Sequence, residues 1–222
     1  MRHLFAAILA VWPSFAAACD LALVLAVDVS GSVDNDEYRT QMDGLATALR
    51  DGIVTDALIA QATKVTLVQW SGASRQVQTL PWIAIANEAD VAALAKDIAH
   101  NPRAWRNFST AVGEAVALSI DLLAQQPDCR RKVIDVSGDG RSNEGIEPAE
   151  LRARLAAQEI TVNALAIETD NDDLTAYFFE NLIAGEGAFV ITANGFADYP
   201  AQIRRKLQRE TTEQLSNLAV QR

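Results

Sequence analysis

Histidine is nearly missing from this chain: two occur in 222 residues, and only His100 lies beyond the first few positions. The commonest general base of enzymes therefore has a single candidate. His100, near the end of a predicted helix and followed by Asn-Pro, reads as a solvent-facing helix-end residue. Glycine-rich phosphate loops are missing as well. No G-x-G-x-x-G or P-loop occurs, so nucleotide binding has no support, and "GEGAF" (185–189) is a turn before a strand. Cations are in deficit: 19 Lys and Arg stand against 29 Asp and Glu, a formal charge of −10. That balance argues against nucleic acid and anionic membrane surfaces as partners. No internal repeat, low-complexity tract or linker interrupts the chain, which points to one domain.

Long apolar runs are equally scarce. "MRHLFAAILAVWPSFAAAC" has a short basic head (Arg2, His3), nine apolar residues from Leu4 to Trp12, a proline and then small residues. Ala16 and Ala18 match an A-x-A cleavage site, so residues 1–18 are predicted to be a secretory signal peptide, too short to span a bilayer. Residues 19–222 then form a single exported domain, periplasmic or secreted. Removal of the leader takes Arg2 and no acid, leaving 204 residues with 18 cations against 29 acids, a formal charge of −11. That length suits one sizeable core.

Only two cysteines occur, Cys19 and Cys129. In an exported protein an even pair suggests a disulfide. Each stands just ahead of a predicted strand, in "CDLALVLAVD" and "CRRKVIDVSGD". If these strands are parallel neighbours, both cysteines sit at one edge of the sheet, where a bridge is geometrically reasonable. The competing reading makes Cys19 the lipidated first residue of a bacterial lipoprotein, which would exclude the bridge. Ala16 in place of the usual Leu makes "AAAC" a poor version of that signal.

What is present is alternation of strand and helix. Leu21 to Val27 is a nearly continuous apolar run, as expected of a strand covered on both faces. A helix capped by Asp34 or Asn35 follows through "DEYRTQMDGLATALRDG". Strands are predicted at 64–72 and 75–83, joined by a Gly-Ser turn and so antiparallel, and then a helix at 87–100 capped by Asn87. A helix at 109–126 starts at Ser109 or Thr110; a strand at 132–138, a helix at 147–159 and a strand at 161–168 come next. A helix at 172–184, a short strand at 188–193 and a helix at 198–215 complete the pattern. The class is α/β, three-layered and doubly wound, with a mainly parallel sheet and its binding crevice beyond the carboxyl ends of the strands.

Hard oxygen groups gather at those ends. Asp28, Ser30 and Ser32 alternate where the first strand stops, so they begin on one side of an extended chain, and Gly31 lets the loop curl. Thr110 offers a hydroxyl at a helix start, and Asp139 follows the strand 132–138 between Gly138 and Gly140. Carboxylates and hydroxyls suit Mg²⁺ or Mn²⁺ better than zinc. Asp135 and Ser137 share side-chain parity with Asp139. Either Asp135 supports the site from below, or a nearby Arg or Lys satisfies it within a central strand. Trp70, Trp82 and Trp105 read as core or loop packing, with Trp105, between Arg103 and Arg106, the best candidate for an exposed contact. "RSNEG" (141–145) reads either as a rim that selects a partner or as a plain polar loop, and the "RRK" triplets at 130–132 and 204–206 read as solvated charges.

"DVSGS", a lone Thr at a later helix start and an Asp-Gly closing a middle strand together resemble the von Willebrand factor type A domain and its metal-ion-dependent adhesion site, D-x-S-x-S, then Thr, then Asp. More narrowly, "LALVLAVDVSGSVDNDEY" with "CRRKVIDVSGDGRSNEG" resembles a bacterial family of exported single-domain members of unknown function (DUF1194-like). The resemblance implies a six-stranded sheet in the order 3-2-1-4-5-6 with strand 3 antiparallel, which would place the strands ending at Asp28 and Asp139 side by side. It implies Asp28, Ser30, Ser32, Thr110 and Asp139 as metal residues for Mg²⁺, with Mn²⁺ or Ca²⁺ as alternatives. "AWRNFST" replaces the family's usual Gly-rich lead into the Thr, so Ser109 is an alternative to Thr110. The resemblance also implies that the domain binds another protein through a Glu or Asp carboxylate and is not an enzyme. The alternative is a metal-dependent hydrolase or phosphotransferase using the same site. Against the latter, Ser30 stands where a second acid of the Asp-led phosphotransferase loop would be.

Overall fold

The computed structural model describes residues 19–169 and 173–220, with side chains through Thr211. The predicted signal peptide lies outside the described residues. Strand β1 (Leu21–Asp28) reads Leu-Ala-Leu-Val-Leu-Ala-Val, large and small residues in strict alternation. Because successive side chains point to opposite faces, one face presents Leu21, Leu23, Leu25 and Val27, the other Ala22, Val24 and Ala26. The bulky face packs against α1 (Asn35–Leu49), α2 (Gly52–Ala60), α3 (Glu88–Ala99) and α7 (Tyr199–Val220). The small-residue face receives α4 (Val112–Leu123), α5 (Arg152–Ala157) and α6 (Leu174–Asn181).

The remaining strands are β2 (Lys64–Trp70), β3 (Gln76–Ala84), β4 (Arg131–Gly138), β5 (Ile160–Ile167) and β6 (Val190–Ala193). They form one six-stranded sheet in the order β3-β2-β1-β4-β5-β6. Only the β2–β3 pairing is antiparallel. The strand order reverses between β1 and β4, where Leu21 pairs with Arg131 and Val27 with Ser137. That register brings the carboxyl ends of both strands to one crevice and their amino ends together at the other edge. Cys19 and Cys129 are disulfide-bonded there.

Three local readings are corrected. The helix expected through "DEYRTQMDGLATALRDG" ends at Leu49, and Gly52 is the first residue of a separate α2, because the Asp51 carboxylate accepts from the Ile53 N–H at 3.1 Å and caps a new helix. The helix expected at 147–159 is a 3-10 turn (Pro148–Leu151) leading into the short α5. Lys206 is not solvated: it is fully buried, with its ammonium 2.5 Å from Asp135 Oδ1 and 2.8 Å from Glu210 Oε1. Asp135 is thus satisfied by a lysine of α7, on the bulky face of the sheet. It does not support Asp28, whose carboxylate lies toward Gly138 and Trp70 on the opposite face. Ser137, buried on the same side as Asp135, neighbours Tyr199 of α7.

Two acids share one ammonium in this buried triad. Burial and the Glu210 charge push the Asp135 carboxyl up to about 7, against the opposing pull of Lys206. Burial alone would lower the Lys206 pKa, but the two carboxylates outweigh it and raise it. A carboxyl raised in the folded state above its ordinary 3.8 stabilises the fold below about pH 4, and loses that contribution as pH rises through about 7. Asp135→Asn is therefore expected to flatten the fall in melting temperature between pH 4 and 8 relative to wild type, measured by circular dichroism. An unchanged slope contradicts the assignment.

The bridge closes a loop with a sequence separation of 110 residues. Cys19→Ser with Cys129→Ser should lose about 2–5 kcal/mol in denaturant unfolding, the usual range for a disulfide in a small exported domain. Wild type under reductant should lose the same amount.

Candidate metal centre

The crevice is built from three loops. After β1, the Ser30 N–H donates to Asp28 Oδ1 at 2.7 Å, and the Ser30 and Ser32 hydroxyls lie 3.2 Å apart. Ser32 Oγ then donates to Asp139 Oδ1 at 2.6 Å, across a sequence separation of 107. Asp28, Ser30, Ser32 and Asp139 therefore form one connected cluster. Thr110, in the loop before α4, stands beside the residue after Asp139: a Cβ on Gly140 would lie 3.7 Å from Thr110 Oγ1.

Asp28 is fully buried, and its Oδ2 has no hydrogen-bond partner. Burial, then the neighbouring Asp139 carboxylate, push its pKa up to about 7 against the Ser30 hydrogen bonds. Such an arrangement is unfavourable for the protein alone, because a buried carboxylate oxygen forgoes hydration without a replacement. The donor set answers what would relieve it. Two carboxylates and up to three hydroxyls are hard oxygen ligands of the kind that a divalent Mg²⁺ or Mn²⁺ takes. No group of three or more His, Cys, Asp or Glu side chains placed to hold a metal occurs among the described residues. The residues present thus fit a hard cation held partly by neutral hydroxyls.

The backbone around these groups is braced from all sides. Gly31 N–H donates to Phe108 O at 2.8 Å, Val29 N–H to Trp70 O at 2.9 Å, and Gln41 Nε2 to Asp28 O at 3.3 Å. Thr110 and Asn143 clasp each other: the Thr110 N–H donates to Asn143 Oδ1 and the Asn143 N–H to Thr110 O, both at 2.9 Å. Thr110 is no helix cap. α4 starts at Val112, and its N-cap residue, Ala111, offers no side-chain bond. Ser142 Oγ accepts from the Val112 N–H at 3.3 Å instead, so the segment 141–145 caps the helix from outside and frees the Thr110 side chain. Ser109, the alternative to Thr110, points elsewhere and donates to the exposed Glu144 carboxylate. That bond, followed by one from the Ala73 N–H, holds the Glu144 pKa low.

Sequence reasoning missed Arg103. Its guanidinium donates to the carbonyls of Val29, Ser30, Val33 and Asp34, the backbone of the loop that follows Asp28. No local motif marks an arginine that acts across about seventy residues. Trp105 is half-buried against the core, and the exposed aromatic of this loop is Phe108, with the Arg75 guanidinium 3.5 Å from its ring centroid. Trp70 is fully buried and Trp82 packs against the α4 side. His100 is the C-cap residue of α3, its ring bonded to Lys96 O at 2.8 Å, and stands outside the cluster.

A doubly wound sheet in this order, with D-x-S-x-S, Thr and Asp at the switch point, is a von Willebrand factor type A fold. The chain belongs to the DUF1194 family, described as proteins of unknown function, which it matches over residues 18–215. Among solved structures it is similar to a von Willebrand factor type A protein from Catenulispora acidiphila (TM-score 0.60, 17% identity, covering 85% of this chain and 42% of that one). It is also similar to proximal thread matrix protein 1 from the mussel byssus, solved with a zinc-occupied MIDAS motif (TM-score 0.62, 18% identity, 85% and 48%). A third is the conserved hypothetical protein BatB from Bacteroides thetaiotaomicron (TM-score 0.52, 17% identity, 85% and 98%). The chain thus spans less than half the length of the first two. No curated protein matches it.

Gly138 gives the geometry a direct test. A Cβ there would lie 2.9 Å from Asp28 Oδ2 and 3.1 Å from the Trp70 ring, whereas one on Gly52 would meet nothing within 4 Å. Gly138→Ala should destabilise by about 1–3 kcal/mol through overpacking. Gly52→Ala should leave stability unchanged or raise it by up to about 1 kcal/mol, both read from urea midpoints.

Proposed function

We propose that this is an exported recognition domain that uses a divalent cation, Mg²⁺ in the first instance, to capture an acidic side chain of another protein. The observation that carries the reading is the fully buried Asp28 carboxylate, with one oxygen unpartnered beside Ser30, Ser32 and Asp139. Asp28 and Asp139 would hold the ion together with the hydroxyls of Ser30, Ser32 and Thr110. Bound there, an incompletely neutralised cation would offer a coordination position to a Glu or Asp carboxylate of the partner. The chain's own residues fix the loops, with Phe108 bonded through its carbonyl to Gly31 and its ring covered by the Arg75 guanidinium. The Cys19–Cys129 bridge and the predicted signal peptide support an oxidising location outside the cytoplasm. No helix among the described residues is long and apolar enough to cross a membrane.

At 100-fold saturation a single-site ligand stabilises by about 2.7 kcal/mol, which for a domain of this size raises the melting temperature by roughly 5–11 °C. Wild type should show such a rise with MgCl₂ over EDTA, and Asp28→Ala with Asp139→Ala should abolish it while remaining folded. Equal rises in both proteins remove the metal claim. Capture from the exported protein pool should yield a partner in Mg²⁺ and lose it in chelator. Metal-dependent turnover in a hydrolase screen, lost in Asp28→Ala, would favour an enzyme instead.

A further inference from the structure

The loop from Val29 to Asp34 turns four carbonyl groups onto one side chain. Arg103 Nη2 donates to Val29 O at 3.1 Å, Ser30 O at 2.9 Å and Val33 O at 2.6 Å, and Nη1 donates to Asp34 O at 3.2 Å. Arg103 is held from behind by the fully buried Gln69 of β2. Gln69 Oε1 accepts from the Ala104 N–H at 2.8 Å, while Nε2 donates to Asn101 Oδ1 at 2.7 Å and to Pro102 O at 3.0 Å. Tyr38 Oη donates to Asn101 O at 2.8 Å, and its ring centre lies 5.8 Å from the guanidinium. Residues on both sides of Arg103 are therefore fixed by the sheet, not by the loop it grips.

The consequence is chemical. Ca²⁺ takes about six to eight oxygens and commonly recruits backbone carbonyls, whereas Mg²⁺ takes six in a tight octahedron and keeps several as water. In this loop the carbonyls of residues 29, 30, 33 and 34 are committed to a guanidinium. The Ser30 and Ser32 side chains that meet Asp28 and Asp139 present hydroxyls. We propose that Arg103 sets the ion preference of the site: by sequestering four carbonyls it keeps the oxygen count low and the loop rigid, favouring Mg²⁺ or Mn²⁺ over Ca²⁺. Arg103 is a positioning residue, since it acts through the loop. Lysine is no substitute, because a compact ammonium with three donors cannot span four carbonyls in a planar fork. The inference rests on the reading of the crevice as a divalent-cation centre.

Calorimetric titration of the full-length protein with MgCl₂ and CaCl₂ tests it, using wild type and Arg103→Lys. Lysine keeps the positive charge, so a difference reports geometry and not electrostatics. Wild type should bind Mg²⁺ at least about tenfold tighter than Ca²⁺. Arg103→Lys should weaken Mg²⁺ on the order of 10–100-fold, the usual range for residues that orient ligands, and Ca²⁺ by less, narrowing the ratio. Melting in EDTA checks that the variant folds. An unchanged Mg²⁺-to-Ca²⁺ ratio in Arg103→Lys overturns the proposal. So does a wild type that binds Ca²⁺ as tightly as Mg²⁺, a result that decides the matter even if the variant fails to fold. Wild type that binds neither ion overturns the metal reading itself, an outcome distinct from both.

Discussion

Two carboxylates carried by neighbouring parallel strands meet at one edge of the sheet, and the surrounding loops are arranged around that meeting. Asp28 and Asp139 raise each other's electrostatic cost, and burial of Asp28 adds to it. Short-range polar contacts oppose that cost, among them the Ser30 amide on one Asp28 oxygen and the Ser32 hydroxyl on Asp139. Hydrogen bonds from neutral groups lessen such a penalty without cancelling it, since a carboxylate can accept at about four sites. The Asp28 oxygen that no hydrogen bond reaches is where a cation would relieve the remaining cost.

The same molecule shows the other solution on the opposite face of the sheet. Asp135 and Glu210 are also buried carboxylates in close company, and there the fold supplies its own cation, Lys206. Asn163 adds a further bond to Glu210 at 2.8 Å, while Asp135 Oδ2 and Glu210 Oε2 have no hydrogen-bond partner. One acidic pair shares a buried ammonium and anchors α7 to β4; in the other, at the switch point of the sheet, one oxygen of the fully buried Asp28 has no hydrogen-bond partner. The contrast is the main physical reason for reading the crevice as a binding site and the triad as architecture. It also explains why Asp135, two same-face steps from Asp139 in sequence, has a different role.

Positioning at the crevice comes from segments far apart in sequence. Arg103 gathers the carbonyls of the Asp28 loop, Gln69 sets the backbone on both sides of Arg103, and Asn143 with Ser142 secures Thr110 and the first amide of α4. These contacts are polar, buried or half-buried, and each satisfies a backbone group that a loop leaves open. Rigid loops matter for any oxygen-ligated ion, because ligand spacing rather than ligand type separates one hard cation from another.

The sequence by itself determined the alternation of strand and helix, the two-faced pattern of β1 and the placement of Asp28, Ser30, Ser32 and Asp139 at strand ends. These follow from periodicity and from the abrupt change from apolar to polar residues, both local properties. Only the tertiary structure decided which carboxylate is compensated. Lys206 looks like a surface charge beside two arginines, and its burial depends on α7 lying across β4. It likewise decided that Ser109 turns to Glu144 while Thr110 lies near Gly140, and that Arg103 holds the loop after Asp28. Such pairings carry no local signature, because the energy that selects them arises when distant backbone groups lose water together and must find partners in one another.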